Sequence, residues 1–547
     1  MNAAGKTITP GFIDMHSHAD VTVLLYPQME SMLRQGITTF VGCQCGQSVA
    51  PIGRWWLHNQ ALLDHFMELS PKLFADPYDD DYYVLSSVMR KLMDDRYGVD
   101  HAWPTFGAWL DAVDAHGLSG NMVTLIGYST LRVNAVLNER GEPDDARVPT
   151  EAEKARLKAG LREAMEAGAF GMSVGLDYKP GIFSKTPELM EMAAEMAPYD
   201  GIYFAHWRKT GLRAGTPKKQ KKIDGIIETL EVGLQNSIQV QISHLSTGYD
   251  IFPTDDDYMQ TAAARRTLQV IDEYVAKGVR ANFDVIPNIT GGTMIAPWLV
   301  GMLLPWIYRA GGLTNFLQYL RYPDYRNDIS RVINSGGFFR LNPLVQPDWD
   351  ENTDIIESVH EDWVGKTVAQ LAKQRGKNSL ETLYDLMLED PSAKVFRATH
   401  SMNRHAVQEY YNHPLATVGN DTFVFDTVST VGFDAERPGN RPNPNTYCGF
   451  VKFIKEYGMP RLEDSIYKTT GRAAEILHLS DRGLLKEGYR ADVLLIDMDE
   501  LATNESVIDP RVYPTGITHV LVNGTPVIDA GQHTGALPGG VIRRQTR

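Results

Sequence analysis

Short apolar runs recur along the chain, each closed by a polar or glycine-rich turn and most of them flanked by a segment of helical composition. The runs GFIDMHSH (11–18), TTFVGCQC (38–45), MVTLIGYST (122–130), GAFGMSVGL (168–176), GIYFAH (201–206), IQVQISH (238–244), VRANFDVIP (279–287) and LATVGND (415–421) read as strands. EAEKARLKAGLREAMEAGA (151–169) typifies the intervening helices, with its Ala, Leu, Glu and Lys content. Strands alternating with helices form parallel βαβ units, and eight in series predict an α/β fold, a closed (β/α)8 TIM-like barrel. AKVFRATH (393–400) is a ninth candidate, which has to lie outside that barrel or displace the eighth strand.

The pattern changes in three places. Residues 54–112 are rich in Trp, Tyr, Met and Asp, and residues 288–392 contain the most apolar stretch, MIAPWLVGMLLPWIY (294–308). Both read as insertions, because long segments in a barrel usually build pockets. The apolar stretch is too short to span a bilayer and holds two prolines, so it reads as a lid or pocket wall. After residue 480 the chain turns to hairpin-like runs: LLKEGYRADVLLID (484–497), ITHVLVNGTPVID (517–529) with an Asn523–Gly524 turn, and GGVIRR (539–544). The expected organisation is a barrel over 11–480 with the two insertions, and a small β-sandwich from 1–10 plus 481–547.

Composition narrows the function. The 547 residues exceed the roughly 250 of a bare barrel. Acidic residues number 68 against 53 basic ones, a formal charge of −15, which disfavours a nucleic-acid partner. No segment suggests a membrane partner or a signal peptide, since MNAAGKTITPGF lacks an apolar core behind a basic end. Three cysteines, Cys43, Cys45 and Cys448, cannot make a disulfide framework, which points to a reducing, cytoplasmic setting.

Candidate chemistry gathers where the runs end. The active sites of parallel barrels sit at the C-terminal ends of the strands. The first run ends in His16-Ser17-His18, and residues two apart on a strand point the same way. The second ends in Cys45, the fifth in His206, the sixth in His244 and the eighth in Asp421. Imidazole plus thiolate is a donor set that zinc accepts, whereas magnesium and calcium prefer oxygen. The five residues are therefore candidate zinc ligands, and Asp421 is the candidate general base. Cys43 reads as packing rather than as a further ligand, and Cys448 as structural.

On these motifs the sequence resembles the amidohydrolase superfamily, and within it the D-aminoacylase (N-acyl-D-amino-acid deacylase) family. PGFIDMHSHAD, GITTFVGCQCGQSVAP (36–51), AGAFGMSVGLDYKPG, IYFAHWR, VQISHL, ATVGND and DRGLLKEGYRADVLLID carry the resemblance, which covers nearly the whole chain in order. It implies that Cys45, His206 and His244 hold a tight zinc, that His16 and His18 form a second, often weakly occupied site, and that Asp421 is the base. The expected activity is zinc-dependent hydrolysis of a non-peptide C–N bond in a small-molecule amide. Alternatives are ring opening of a cyclic amide or hydantoin, or a non-catalytic assembly protein. A second copy of the chain is a candidate partner, as a homo-oligomer.

The departures from the family concern recognition. The lysine that commonly follows the sixth-strand His is Ser246 here, and the tyrosines of Asp-x-Tyr-Pro-Tyr become Ile286 and Asn288. The acidic residue after His-x-Arg is Lys209, and a family His is Tyr128. Arg132, Tyr178 and Arg208 join Ser246, Ile286 and Asn288 as candidate substrate-binding residues. The lost contacts suggest a bulkier, more apolar or uncharged amide. Family members also carry more β-structure before the first motif, so the tail strands are expected to lack partners unless the true start lies upstream or another element covers them.

Overall fold

The computed structural model describes residues 3–57, 83–145, 147–177, 179–209, 221–251, 256–288, 290–301, 303–335, 348–398, 402–425, 443–506 and 510–545. Each of the eight predicted runs contains parallel strand. Numbered in chain order, these are β2 (Phe12–Asp14), β3 (Ile37–Gly42), β6 (Asn121–Thr124) continued as β7 (Ile126–Gly127), β8 (Gly171–Gly175), β9 (Ile202–His206), β10 (Gln239–Ile242), β11 (Ala281–Val285) and β15 (Ala416–Val418). All pair in parallel, in the orders β2-β3-β6 and β7-β8-β9-β10-β11-β15. The Phe170 N–H donates to Thr124 O at 2.9 Å where the two arrays meet, and the Met15 N–H donates to Val418 O at 3.1 Å. These strands are buried on both faces. That is why they appear in sequence as near-continuous apolar runs rather than as alternation.

Of the first insertion, the described part is an antiparallel pair, β4 (Trp55–Leu57) with β5 (Tyr83–Leu85), followed by helices Ser86–Tyr97 and Phe106–His116. The second insertion builds an antiparallel sheet in the order β12-β14-β13, from β12 (Thr290–Ile295), β13 (Thr353–Glu357) and β14 (Lys394–Ala398). AKVFRATH therefore joins the insertion's sheet, which reaches past the expected boundary at 392, and leaves the eighth parallel strand in place. Leu299, Trp306, Phe316, Ile333, Leu383 and Val395 belong to a hydrophobic core separate from the main one. The run read as a lid supplies Ala296, Leu299, Leu303, Trp306 and Ile307 to that core, so these residues are apolar because they are interior. Among the described residues no helix is long and apolar enough to cross a membrane.

The tail strands do have a partner. β1 (Thr7–Pro10) pairs antiparallel with β16 (Val493–Ile496), and the sheet runs on through β17 (Ile517–Val522), β18 (Thr525–Asp529) and β19 (Gln532–His533). The Asn523–Gly524 turn has φ of 49° and 85°, as a two-residue hairpin requires. The last run differs from expectation. β20 (Val541–Ile542) leaves the hairpins and pairs in parallel with β6.

Candidate metal centre

The predicted donors converge. Cys45 Sγ lies 3.5 Å from His16 Nε2, 3.4 Å from His206 Nδ1 and 3.6 Å from His244 Nε2. Asp421 Oδ1 lies 3.4 Å from His16 Nε2 and 3.2 Å from His18 Nε2. Two metal-competent clusters result, Cys45–His206–His244 and His16–His18–Cys45–Asp421, with Cys45 in both. Donors bound to zinc at its usual length in a tetrahedron stand about 3.3–3.6 Å apart, so the spacing around Cys45 suits that ion. Cys43 belongs to neither cluster and sits in the hydrophobic core. The buried Cys448 thiol lies 3.1 Å from Pro444 O.

The strands aim these side chains less directly than the sequence suggests. Only His206 lies within a strand; the others follow strand ends by two to four residues. Cys45, His244 and Asp421 take φ of 54°, 37° and 54°, a left-handed conformation uncommon for residues with a side chain. Such backbone persists where surrounding structure enforces it. The Asp421 N–H donates to His16 O at 2.8 Å, which ties the last parallel strand to the first at the site. Gly419 is needed for close approach, because a Cβ there would lie 2.6 Å from that of His16.

Burial lowers the pKa of His206 and His244, which keeps both imidazoles neutral, as metal ligation demands. Burial likewise pushes His16 down to about 3 and raises the Cys45 thiol. Burial opposes ionisation of Asp421, but His16 and His18 outweigh it and hold the carboxyl below its ordinary range. Three further carboxylates support the ring of ligands. Asp177 Oδ2 is 3.4 Å from His206 Nε2, leaving Nδ1 turned to Cys45. Asp284 accepts from the His244 N–H at 2.6 Å and from Gln241 Nε2 at 2.9 Å, and its Oδ1 is 3.5 Å from His16 Nδ1. Asp14 accepts from the N–H groups of His16 and Asn420 at 3.1 and 3.0 Å. Burial raises Asp284 to about 7 and Asp14 well above its usual value. Sequence reading missed the supporting roles of all three. The only signal for Asp177 and Asp14 was an aspartate near a strand end.

The predicted recognition residues fare differently. Arg132 is buried and donates to Glu188 at 3.1 Å and to the carbonyls of Asp145 and Arg147 at 3.2 and 2.9 Å. Arg208 donates to Glu228 at 2.7 Å, to the carbonyls of Leu176 and Ile182 at 3.3 and 3.1 Å, and to Ser184 O. Both guanidinium groups thus tie separate parts of the chain together. Tyr128 donates to Glu188 and joins the Arg132 cluster. Asn288 donates to Glu505, and its backbone is bracketed by Asn445 at 3.0 and 3.1 Å. Ser246 is buried and Ile286 half-buried just beyond β10 and β11. Tyr178 lies outside the described residues. Lys209, three residues past His206, is half-buried. Burial lowers its pKa, while Asp421, Cys45, Asp177 and Asp284 pull the other way.

Comparison with known proteins bears on the family and the fold. The family model described as "Amidohydrolase family" matches residues 364–528. The chain is 27% identical to an N-acyl-D-aspartate deacylase of Alcaligenes xylosoxydans xylosoxydans, over 99% of this chain and 86% of that one. It is 36% identical to an uncharacterised protein of Mycobacterium tuberculosis, over 93% and 78%. A D-aminoacylase structure known for its binuclear metal centre superposes with a TM-score of 0.66 at 23% identity, over 100% and 90%. A zinc- and phosphonate-bound N-acyl-D-glutamate deacylase from Bordetella bronchiseptica gives 0.65 at 24%, over 99% and 90%. Fold, donor set and relatives together lead to one assignment: the chain belongs to the amidohydrolase superfamily, and within it to the D-aminoacylase family.

Proposed function

We propose that this protein is a zinc-dependent hydrolase that cleaves a non-peptide amide C–N bond in a small molecule, with a recognition end altered from that of the D-aminoacylases. The carrying observation is the convergence of Cys45 with His206, His244 and His16 at 3.4–3.6 Å beside Asp421. Cys45, His206 and His244 would hold one zinc tightly, and His16 and His18 a second. Zinc bound there lowers the pKa of water at the site and polarises the substrate carbonyl. Asp421 Oδ1 accepts the proton of the attacking water and delivers it to the departing nitrogen, so the carbonyl carbon gains the oxygen as the C–N bond breaks. His16 and His18 keep Asp421 ionised for the first half of that cycle. Asp177 fixes the His206 ring, and Asp284 the backbone of His244.

The scaffold in this reading is a closed (β/α)8 barrel. The Met15–Val418 hydrogen bond joining first and last strands supports closure. In this division, residues 11–480 form the barrel with its insertions, and 1–10 with 481–547 the small β-domain. A cytoplasmic location suits three buried, unpaired cysteines. Ser246, Ile286 and Asn288, standing where the resemblance expects a lysine and two tyrosines, support the altered recognition end. The test is a hydrolysis screen of the purified protein over N-acyl amino acids of both hands, neutral aryl amides, carbamates and cyclic imides, with zinc measured in parallel. Zinc-dependent release of amine from an acyclic amide is expected. Turnover confined to cyclic imides would replace this reading with ring opening, and a zinc-free, inert protein would reject catalysis.

A further inference from the structure

We propose that Arg208 is a positioning residue for the metal centre: its guanidinium holds the chain on both sides of Asp177, and Asp177 in turn sets the His206 ring that would ligate zinc. This rests on the zinc-hydrolase reading of the same site.

His206 closes β9, and Arg208 stands two residues beyond it. The Arg208 side chain is only 2% exposed. It donates from Nε to Glu228 at 2.7 Å, from one terminal nitrogen to Leu176 O at 3.3 Å and Ile182 O at 3.1 Å, and from the other to Ser184 O. Leu176 immediately precedes Asp177, whereas Ile182 and Ser184 follow it. One guanidinium therefore grips the start and the end of the stretch that carries Asp177. That stretch is also pinned to the ligand's own backbone, because the Leu176 N–H donates to His206 O at 2.9 Å. Ser184 is held a second time, its Oγ lying 3.0 Å from the Tyr128 hydroxyl. Packing leaves little room for movement. A Cβ on Gly181 would lie 2.2 Å from Gly175 O, and one on Gly225 would lie 2.8 Å from Arg208 O. Gly225 belongs to helix Lys222–Asn236, which also supplies Glu228.

The consequence falls on His206. Asp177 Oδ2 is 3.4 Å from its Nε2, while its Nδ1 is 3.4 Å from Cys45 Sγ. A carboxylate on the outer nitrogen fixes the tautomer and orientation of a ligating imidazole, and its loss typically costs about 10–100-fold in metal affinity. Arginine suits the holding role, since its planar fork reaches several acceptors at once where lysine offers a point charge. A buried guanidinium needs a paired carboxylate and hydrogen-bond acceptors, which Glu228 and the three carbonyls provide.

A double-mutant cycle of zinc affinity decides the matter, read by competition with a chromophoric chelator on wild type, Arg208→Met, Asp177→Ala and the double variant. Arg208→Met should weaken zinc binding about 10–100-fold in the wild-type background and leave it nearly unchanged in the Asp177→Ala background, because the effect passes through Asp177. The visible spectrum of the cobalt-loaded protein should change alike in both single variants, a signature that a merely structural arginine would not move. Should Arg208→Met fail to fold, Arg208→Lys takes its place in the cycle, keeping a cation opposite Glu228 while giving up the fork. Equal losses in the two backgrounds, or zinc affinity undiminished by the arginine variant, overturn the proposal. Neither readout needs turnover. Additive losses in a protein that hydrolyses amides sink the role of Arg208 alone. Coupled losses in a protein that hydrolyses nothing sink the hydrolase reading and leave the positioning role standing.

Discussion

Asp421 stands with a left-handed backbone between two imidazoles, and that placement decides what its loss should do. Its carboxylate is shared by His16 and His18 and clusters with them and Cys45, whereas His206 and His244 group with Cys45 without it. Asp421→Asn keeps the size and removes the proton acceptor. Turnover is expected to fall by roughly 10²–10⁴-fold or more, the usual range for a general base, while zinc per chain stays near the wild-type level. Steady-state kinetics with metal analysis checks this, and zinc lost along with activity would make Asp421 chiefly a ligand. Cys45 sits in both clusters, so Cys45→Ser should instead empty the site, seen as zinc content well below that of Asp421→Asn. The donor residues were legible in sequence because each closes an apolar run. The partners of the arginines were not legible, for an equally physical reason. A cation near the rim looks like a substrate handle, and the carboxylates that occupy Arg132 and Arg208 lie 56 and 20 positions away along the chain, where no local pattern reveals them.

Helix Glu151–Ala167 shows how local chemistry fixes an element. Thr150 accepts from the Glu153 N–H at 3.3 Å, and Glu153 accepts from the Thr150 N–H at 2.7 Å, which closes a capping box. Glu153 also takes both terminal nitrogens of Arg147 at 2.7 Å, a two-pronged contact that ties the preceding loop to the helix. Arg147 above all, with Thr150, draws the Glu153 pKa from 4.5 down to about 2. A depressed folded-state pKa stabilises the native state above the unfolded value, and the contribution disappears as pH falls through the folded one. Glu153→Gln should therefore cost about 1–3 kcal/mol near pH 7. The gap from wild type should narrow as pH drops from 4.5 toward 2. Denaturant midpoints at several pH values measure it, and a gap that widens in acid would contradict the assignment. The helix was legible in the sequence from its Ala, Leu, Glu and Lys content. Legible too were the eight parallel strands, since burial on both faces leaves continuous apolar runs. The destination of Val541–Ile542 was not, because two residues carry no periodicity and parallel pairing joins distant segments.

At the scale of the molecule, that short strand supports the arrangement from the side away from the donors. Val541 and Ile542 register with Met122 and Val123, early in β6, while Cys45 follows the far end of the neighbouring β3. The Met122 N–H donates to Gly540 O at 2.9 Å, and the Arg544 N–H to Gly168 O at 2.9 Å. Arg543 pairs with Asp111 at 2.6 Å and Arg544 with Asp200 at 3.3 Å. The segment thus fastens β6 to the helices and turns on either side. Each buried backbone bond lost contributes about 0.5–1.5 kcal/mol, and surface ion pairs less. Removing residues 539–547 should lower the melting temperature without changing zinc per folded chain. The donors are fixed instead by contacts at the strand C-termini, among them Asp421 N–H to His16 O and His244 N–H to Asp284. Stripping zinc with a chelator should have the complementary effect, destabilising full-length and shortened chains alike, because a ligand bound only by the native state stabilises it in proportion to its affinity. Thermal melts of both chains with and without chelator give all four values. Additive losses would show that the two ends of the strands are held independently. A shortened chain that no longer gains from zinc would mean that the last strand shapes the metal centre itself.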